Sequence, residues 1–400
     1  MASQYETLAA QIESLLQNPG ASAGQDEQVL RRLAEGGRKL SIAFEDRGAS
    51  LRRIGYTHFQ SPLACVGVEA GVFAALAADP SKTFTNAELA EKTGVDPKLL
   101  KRLLRYYQSQ DMVSQTSHDG YKANNVTLSL GNSDYGASLR FFTKVIAPAA
   151  VAMPEFLEKQ SYRNPEGVTP GAFHMGHHTD LHPFMWSHSR PEILGLFLPW
   201  MNIQREGRPT FFDVLDVERE LVQPQGSTSS TPLFVDIGGA MGAQCIAFRK
   251  RYPGLVGRVI LQDLPQVVDQ VKASPLPGFE KIEAEAYDFF TPETVKGAYA
   301  YYLRNVLHDW PDAKVVEILT SIKAGMTKDS VVLIDETVLS ECCAPWRAVQ
   351  QDVEMLAVFS ASERTEAEWR KLIDEAGLAT RDVRRYTEEY EDTVIVAALK

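Results

Sequence analysis

Leu233-Phe234-Val235-Asp236-Ile237-Gly238-Gly239-Ala240-Met241-Gly242 decides the fold. Leu233, Phe234, Val235 and Ile237 make the near-continuous apolar run of a strand buried on both faces, and the glycines behind them allow a tight turn into a helix from Ala243. Buried strand, glycine turn and helix N-terminus, in that order, are how an open α/β sheet builds a nucleotide-sized site at its carboxyl edge. The next predicted strand, Arg258-Val259-Ile260-Leu261-Gln262, ends on Asp263, a carboxylate placed to hold a ribose diol.

Ala240 stands where a full dinucleotide fingerprint would carry its second glycine, the position of closest backbone approach to a pyrophosphate. A nucleoside without phosphates, such as S-adenosylmethionine, does not need that cradle and suits Asp236-x-Gly238-Gly239-x-x-Gly242.

Further predicted strands near 281–285, 298–303 and 330–335 alternate with helical patterns, so a mostly parallel sheet covered on both faces is expected. The region of Val383 and the run Thr393-Val394-Ile395-Val396-Ala397-Ala398 are expected to add a closing hairpin. Upstream, helices to about Arg47 flank a small-residue linker, Asn18-Pro19-Gly20-Ala21-Ser22-Ala23-Gly24, and Pro62 to Ala78 is apolar and helix-like. Thr85 with Glu88 offers a capping box, and Asp96-Pro97 opens a third helix through Leu100, Leu103, Leu104 and Tyr107. The turn Ser117-His118-Asp119-Gly120 then joins two short strands, which completes a winged-helix order. From about 141 to 212 the chain reads as helical and rich in aromatic residues and Met, and Gln223 to Thr231 reads as an exposed loop.

A chain of 400 residues with 44% hydrophobic content is long enough for two domains and a sizeable core. Forty-one Lys plus Arg against 52 Asp plus Glu leave a net charge of −11, which opposes binding to nucleic acid or an anionic membrane. The winged helix therefore reads as a packing or dimerisation module, although Lys98, Lys101, Arg102 and Arg105 keep a DNA-binding regulator as an alternative. Cys65, Cys245, Cys342 and Cys343 show no spacing of a disulfide frame or zinc site, no run approaches the roughly 18 apolar residues of a membrane span, and the N-terminus lacks a signal-peptide pattern. A cytoplasmic location is the default expectation.

Tyr301-Tyr302-Leu303-Arg304-Asn305-Val306-Leu307-His308-Asp309-Trp310-Pro311 carries the chemistry, because its strand ends at the ligand-binding edge and delivers His308 there. Glu336, ending the strand Val331 to Asp335, and Glu363 are candidate partners: a carboxylate on one imidazole nitrogen leaves the other to accept a proton. Each has a structural rival role, Glu336 as a solvated strand end and Glu363 as a helix-capping acid. Asp309 could equally cap the helix that follows. His174, His177, His178 and His182 tempt a metal reading, but Gly176 and Pro183 interrupt the segment, and pocket lining or helix surface is the preferred role. No metal site is expected.

The ordered motifs Asp236 to Gly242, Asp263-Leu264-Pro265, Asp288-Phe289-Phe290, His308-Asp309-Trp310, Glu336 and Glu363-Arg364-Thr365 resemble those of plant-type and fungal S-adenosylmethionine-dependent small-molecule O-methyltransferases of the caffeic acid type, over most of the chain from about Arg52. The resemblance implies an α/β fold: a Rossmann-like methyltransferase domain over 136–400, with a helical acceptor segment at 141–212, a winged-helix dimerisation domain over 48–135, and a helical extension over 1–47. It implies that Asp236, Gly238, Gly239, Asp263, Leu264, Asp288, Phe289 and Arg304 bind S-adenosyl-L-methionine. It further implies that His308 is the general base flanked by Glu336 and Glu363, and that Phe197, Trp200, Met201, Asp309 and Val358 meet an aromatic acceptor in a homodimer. Ala240 and Met241 depart from the glycine and threonine of many relatives, and Val358 replaces a polar contact of plant members. Methylation of a phenolic or enolic hydroxyl on an aromatic, polyketide-derived metabolite is the expected activity. An enzyme that holds the donor and catalyses a pericyclic rearrangement without methyl transfer is the alternative.

Overall fold

Each strand expected between 233 and 335 forms, and all of them join one sheet. The computed structural model describes residues 3–17, 26–167, 170–220 and 227–400. The linker at 18–24 and the first part of the polar loop, 223–226, lie outside the described residues.

The winged-helix hairpin comprises β1 (Ser114–Ser117) and β2 (Gly120–Lys122). The main sheet comprises β3 (Pro232–Ile237), β4 (Arg258–Asp263), β5 (Glu283–Ala286), β6 (Ala300–Arg304), β7 (Val331–Leu339), β9 (Leu378–Arg385) and β10 (Asp392–Leu399), with the two-residue β8 (Arg364–Thr365) paired to the end of β7. Its order is β5-β4-β3-β6-β7-β10-β9. The first five strands are parallel, and β10 runs antiparallel to both neighbours, which is the expected closing hairpin. Alternate residues explain the two-sided burial. Val235, Ile237, Tyr301 and Leu303 pack into one core, while Phe234, Leu261, Tyr302 and Phe248 pack into a second. Each fully buried side chain of this size contributes about 1.5–3 kcal/mol.

The structure departs from the sequence reading in two places that matter. β7 does not stop at Asp335 but continues to Leu339, with Thr393 paired to Glu336, so Glu336 is an interior, fully buried strand residue and not a solvated end. The apolar segment 62–78 is interrupted at Gly71, whose φ of 73° starts a separate helix, Val72–Ala77.

The chain divides into two compact units at Val66/Gly67. In the first, Asp26 and Asp46 cap the helices Glu27–Ala43 and Arg47–Tyr56, and the latter buries none of its residues. The second contains the winged-helix elements together with the sheet. Thr85 and Glu88 form the expected capping box, Asp96 caps the helix Pro97–Ser109, and Phe84 bridges to Tyr121 of the hairpin. The segment from 141 to 212 is mostly helical as expected, including a wide π turn at Phe142–Ile146, Ala147–Lys159 and Pro191–Ile203, and the helix Ser133–Phe141 precedes it. No helix among the described residues is long and apolar enough to cross a membrane.

Candidate active site

The glycine turn begins where β3 ends. Gly238 adopts φ 71°, donates its N–H to the Gln262 carbonyl at 2.8 Å, and leaves so little room that a Cβ there would meet Val306 at 2.9 Å. The turn is thus in contact with the segment that carries His308 two residues later. Asp236 lies buried beneath the turn, with the Cys245 thiol 3.7 Å away, and burial pushes its carboxyl up to about 7. Asp263, at the end of β4, accepts hydrogen bonds from the Ala240 and Leu264 N–H groups at 2.8 and 2.7 Å. Asp288 and Phe289 follow β5 at the same edge, where Asp288 caps its own turn by accepting from the Phe290 N–H at 3.0 Å. Arg304 ends β6, 4.0 Å from Asp335.

A cavity of about 500 Å³ opens at this edge, walled by Met201, Arg205, Ala243, Gln244 and Arg304 among others. The side-chain oxygen of Gln244 is buried there without a hydrogen-bond partner. An unsatisfied acceptor beside a helix N-terminus and two guanidinium groups suits the ammonium and carboxylate of an amino-acid group such as the end of S-adenosylmethionine.

His308 is 5% exposed and lies outside that cavity wall. Its Nδ1 is 2.6 Å from Glu363 Oε1 and 3.7 Å from Glu336 Oε2, while the other Glu336 oxygen accepts the N–H groups of Val306 and Leu307 at 3.1 and 2.9 Å. The Nδ1–Glu363 contact leaves Nε2 without a hydrogen-bond partner among the described residues; the nearest acid, Asp309, is 3.6 Å away. Burial alone would push the ring's pKa down, but Glu363, Glu336 and Asp309 overcome it and carry His308 up to about 10. Burial pushes Glu336 and Asp309 the other way for acids, up to about 7 each.

The rival roles considered from sequence do not hold. Asp309 caps nothing, since the helix Asp312–Lys323 has Pro311 at its N-cap without a side-chain bond. Thr365 and Glu368, not Glu363, cap the helix Glu366–Glu375. Among the described residues His308, Glu336 and Glu363 are the only three His, Cys, Asp or Glu side chains close enough to share an ion, with ligand atoms within 4.8 Å. Three of the four clustered histidines have partners for their side chains among the described residues. His174 Nδ1 accepts from Gly171 N–H at 3.0 Å, His177 Nε2 bonds the Val145 carbonyl at 2.8 Å, and His178 stands beyond the helix end at φ 50°. His182 accepts from the Phe184 N–H at 3.3 Å and stacks on Trp310, its ring pushed down to about 4 chiefly by burial.

Phe197, Trp200 and Met201 share the helix Pro191–Ile203. Phe197 and Trp200 pack with Phe141, Met355 and the buried Val358 in one apolar cluster, whereas Met201 faces the cavity shared with Arg304. Gln351, one turn before Met355 on the helix Trp346–Phe359, reaches to 3.4 Å from His308 Nδ1.

Two arginines escaped the sequence reading. Arg364, 2% exposed, holds the Leu307 and Trp310 carbonyls at 3.3 and 2.7 Å and Asp312 at 2.8 Å, which clamps the loop bearing His308. Its place between Glu363 and Thr365 in a quoted motif was the available signal. Arg205 reaches Asn305 at 2.6 Å, Asp392 at 3.1 Å and Tyr386 at 2.8 Å, and Tyr302 and Tyr386 each donate to Asp335 at 2.5 Å. These partners lie up to 187 positions apart in sequence (Arg205 to Asp392), and no local pattern announces them.

Comparison with known proteins agrees with this fold. A family model described as the O-methyltransferase domain matches residues 215–379. The O-methyltransferase ucdC of Aspergillus ustus is 36% identical over 91% of this chain and 93% of its own length. The demethylsterigmatocystin 6-O-methyltransferase of Aspergillus flavus is 31% identical over 91% of each. The O-methyltransferase lepI of Aspergillus flavus is 33% identical over 99% of this chain and 100% of its own; the solved LepI complex with SAM superposes with a TM-score of 0.89 at 32% identity, covering 100% of both chains. A solved chain of the same TM-score and identity is described as a pericyclic reaction enzyme.

Proposed function

Because the chain belongs to the S-adenosylmethionine-dependent O-methyltransferases of secondary metabolism, we propose that it methylates a phenolic or enolic hydroxyl of an aromatic acceptor, with His308 as the proton acceptor and without a metal. The observation that carries this is the 2.6 Å contact from His308 Nδ1 to Glu363, which fixes the tautomer and leaves Nε2 available. The donor supplies an electrophilic methyl group on a sulfonium. Asp263, Gln244 and Arg304 are the residues proposed to hold its ribose and amino-acid ends, Asp288 and Phe289 its adenine. Met201, Phe197, Trp200 and Val358 are proposed to line the aromatic acceptor.

The ring's pKa changes the energetics of proton removal. A phenol near pKa 10 facing an ordinary histidine near 6.5 would lose its proton at a cost of about 5 kcal/mol. A ring at about 10 makes that transfer nearly level. The remaining cost is having the ring neutral beforehand, a state of only about 0.3% at pH 7.5. A nearby sulfonium disfavours the imidazolium and raises that fraction.

Incubation with the donor and a panel of phenolic polyketides, read by the mass of one added CH₂ and by S-adenosylhomocysteine release, tests the reading. Turnover by His308→Ala equal to that of the parent would overturn the assigned base. Similarity to LepI favours the rearrangement reading as the second one, and an isomerised product without S-adenosylhomocysteine would establish it. A homodimer without nucleic acid or membrane partners completes the proposal. Exposed Leu15, Leu16, Leu33, Leu51 and Ile54 in the first unit support self-association, and Asp119 at the wing tip with the net charge of −11 opposes a phosphate backbone.

A further inference from the structure

The segment Ser340 to Pro345 leaves β7 and enters the helix Trp346–Phe359, and it carries a pair of side chains that the methyl-transfer reading does not use. Cys342 and Cys343 are both exposed, and their sulfurs stand 3.1 Å apart. Cys343 adopts φ 57°, a conformation uncommon outside glycine. The segment is held on both sides. Ser340 donates its N–H to Glu391 at 2.9 Å, Arg385 pairs with the same Glu391 at 2.9 Å, and Arg347 pairs with Glu389 at 3.1 Å. The thiols are therefore kept together in solvent by anchored neighbours, which makes an exchange between them effectively intramolecular.

We propose that Cys342 and Cys343 are a modification site, a vicinal dithiol that reacts with a low-molecular-weight disulfide such as oxidised glutathione and closes to a Cys342–Cys343 disulfide. Cys343 attacks one sulfur of the glutathione disulfide as its thiolate, forming a mixed disulfide and releasing one glutathione thiolate. Cys342 gives its proton to solvent and attacks the Cys343 sulfur, forming the vicinal bond and releasing the second glutathione. Two protein thiols are oxidised and one small disulfide is reduced to two thiols, so atoms and electrons balance. The contact between the two sulfurs pushes the Cys342 thiol's pKa up; the vicinal product is the same whichever thiol opens the exchange. Neighbouring residues on a trans peptide have Cα atoms about 3.8 Å apart, shorter than the roughly 4.4–6.8 Å usual for disulfides, so the closed ring opens readily under reduction. Cys65 and Cys245 are buried and serve as unreactive references.

The test exposes the purified full chain to graded ratios of reduced and oxidised glutathione, blocks remaining thiols with N-ethylmaleimide and reads intact and peptide masses. The expected result is a 342–343 peptide lacking two hydrogens, with no retained glutathione, restored by dithiothreitol. Cys342→Ser is expected to retain one glutathione on Cys343, because nothing resolves it. Retention of glutathione by the parent chain without loss of the two hydrogens, or full maleimide labelling of both residues at every ratio, would overturn the proposal. The outcome is independent of whether methyl transfer is the right activity, since no donor or acceptor is present.

Discussion

Replacing Glu363 by Gln keeps the shape and a hydrogen-bond acceptor for His308 Nδ1 but removes the charge that sits 2.6 Å from the ring. At an effective dielectric near 20, a pair of unit charges about 4 Å apart interacts by about 4 kcal/mol, or about 3 pKa units. The ring is thereby expected to fall from about 10 toward about 7, with Glu336 and Asp309 still holding it above what burial alone would give. Two consequences oppose each other. The neutral, proton-accepting form becomes abundant at pH 7.5, yet the ring becomes a weaker base against a phenol. With about half of the proton transferred in the transition state, a loss of 3 units lowers the limiting rate about 30-fold. A single assay at pH 7.5 would therefore show a net gain of only about 8-fold, the neutral form rising about 240-fold against the roughly 30-fold loss of basicity, whereas the pH profile separates the two: the acid limb moves down by two units or more while the alkaline plateau drops. The ring is also observable directly by NMR of histidine-labelled protein, assigned by the signal missing in His308→Ala, with S-adenosylhomocysteine affinity and unfolding midpoint as controls for the fold. A His308 titration and an acid limb that stay where they are in the parent would refute the reasoning.

Three further outcomes follow from the same geometry. A Cβ at Gly239 would collide with the Asp236 carboxylate and come within 2.6 Å of Leu261, so Gly239→Ala is expected to lower stability by about 1–3 kcal/mol and to weaken S-adenosylhomocysteine binding in calorimetry; unchanged values of both would contradict the turn's role. Arg364→Lys loses the planar fork that spans the Leu307 and Trp310 carbonyls, and is expected to reduce kcat tenfold or more with donor KM little altered; a change confined to donor KM would place its role elsewhere. Dialysis against a strong chelator is expected to leave turnover intact, and loss restored by a divalent ion would show that His308, Glu336 and Glu363 hold a metal.

The parts legible in the sequence were those set by local pattern. The 232–237 strand, its glycine turn, the Thr85 capping box and the Asp96-Pro97 helix start each depend on neighbours within a few positions, and each forms as read. β7 was read short because Asp335, Glu336 and Thr337 end its apolar run, although backbone pairing with β10 and burial by the rest of the fold continue through them. The two acids are tolerated there because each finds distant partners: Asp335 takes two tyrosine hydroxyls, and Glu336 takes two backbone amides, whereas the Thr337 hydroxyl is buried without a partner among the described residues. The Arg205 network has the same character and the same invisibility.

That buried acids collect around one imidazole has an electrostatic consequence for ligand choice. Glu336, Asp309 and Glu354 are each pushed up to about 7 by burial, so the site gains negative charge as pH rises through that value, while His308 keeps its proton until about 10. Below pH 7 the protonated carboxyls leave a positive ring with little counter-charge beyond Glu363, an environment that repels a second cation. Above it, the excess of carboxylates over the one imidazolium favours a cation, and the methyl donor is a sulfonium cation whereas the spent donor is not. Ionisation of these acids therefore tightens the ring's hold on its proton and, on the proposed reading of the site, biases it toward the charged donor over its neutral product, coupling donor discrimination to the protonation state of the acids around His308.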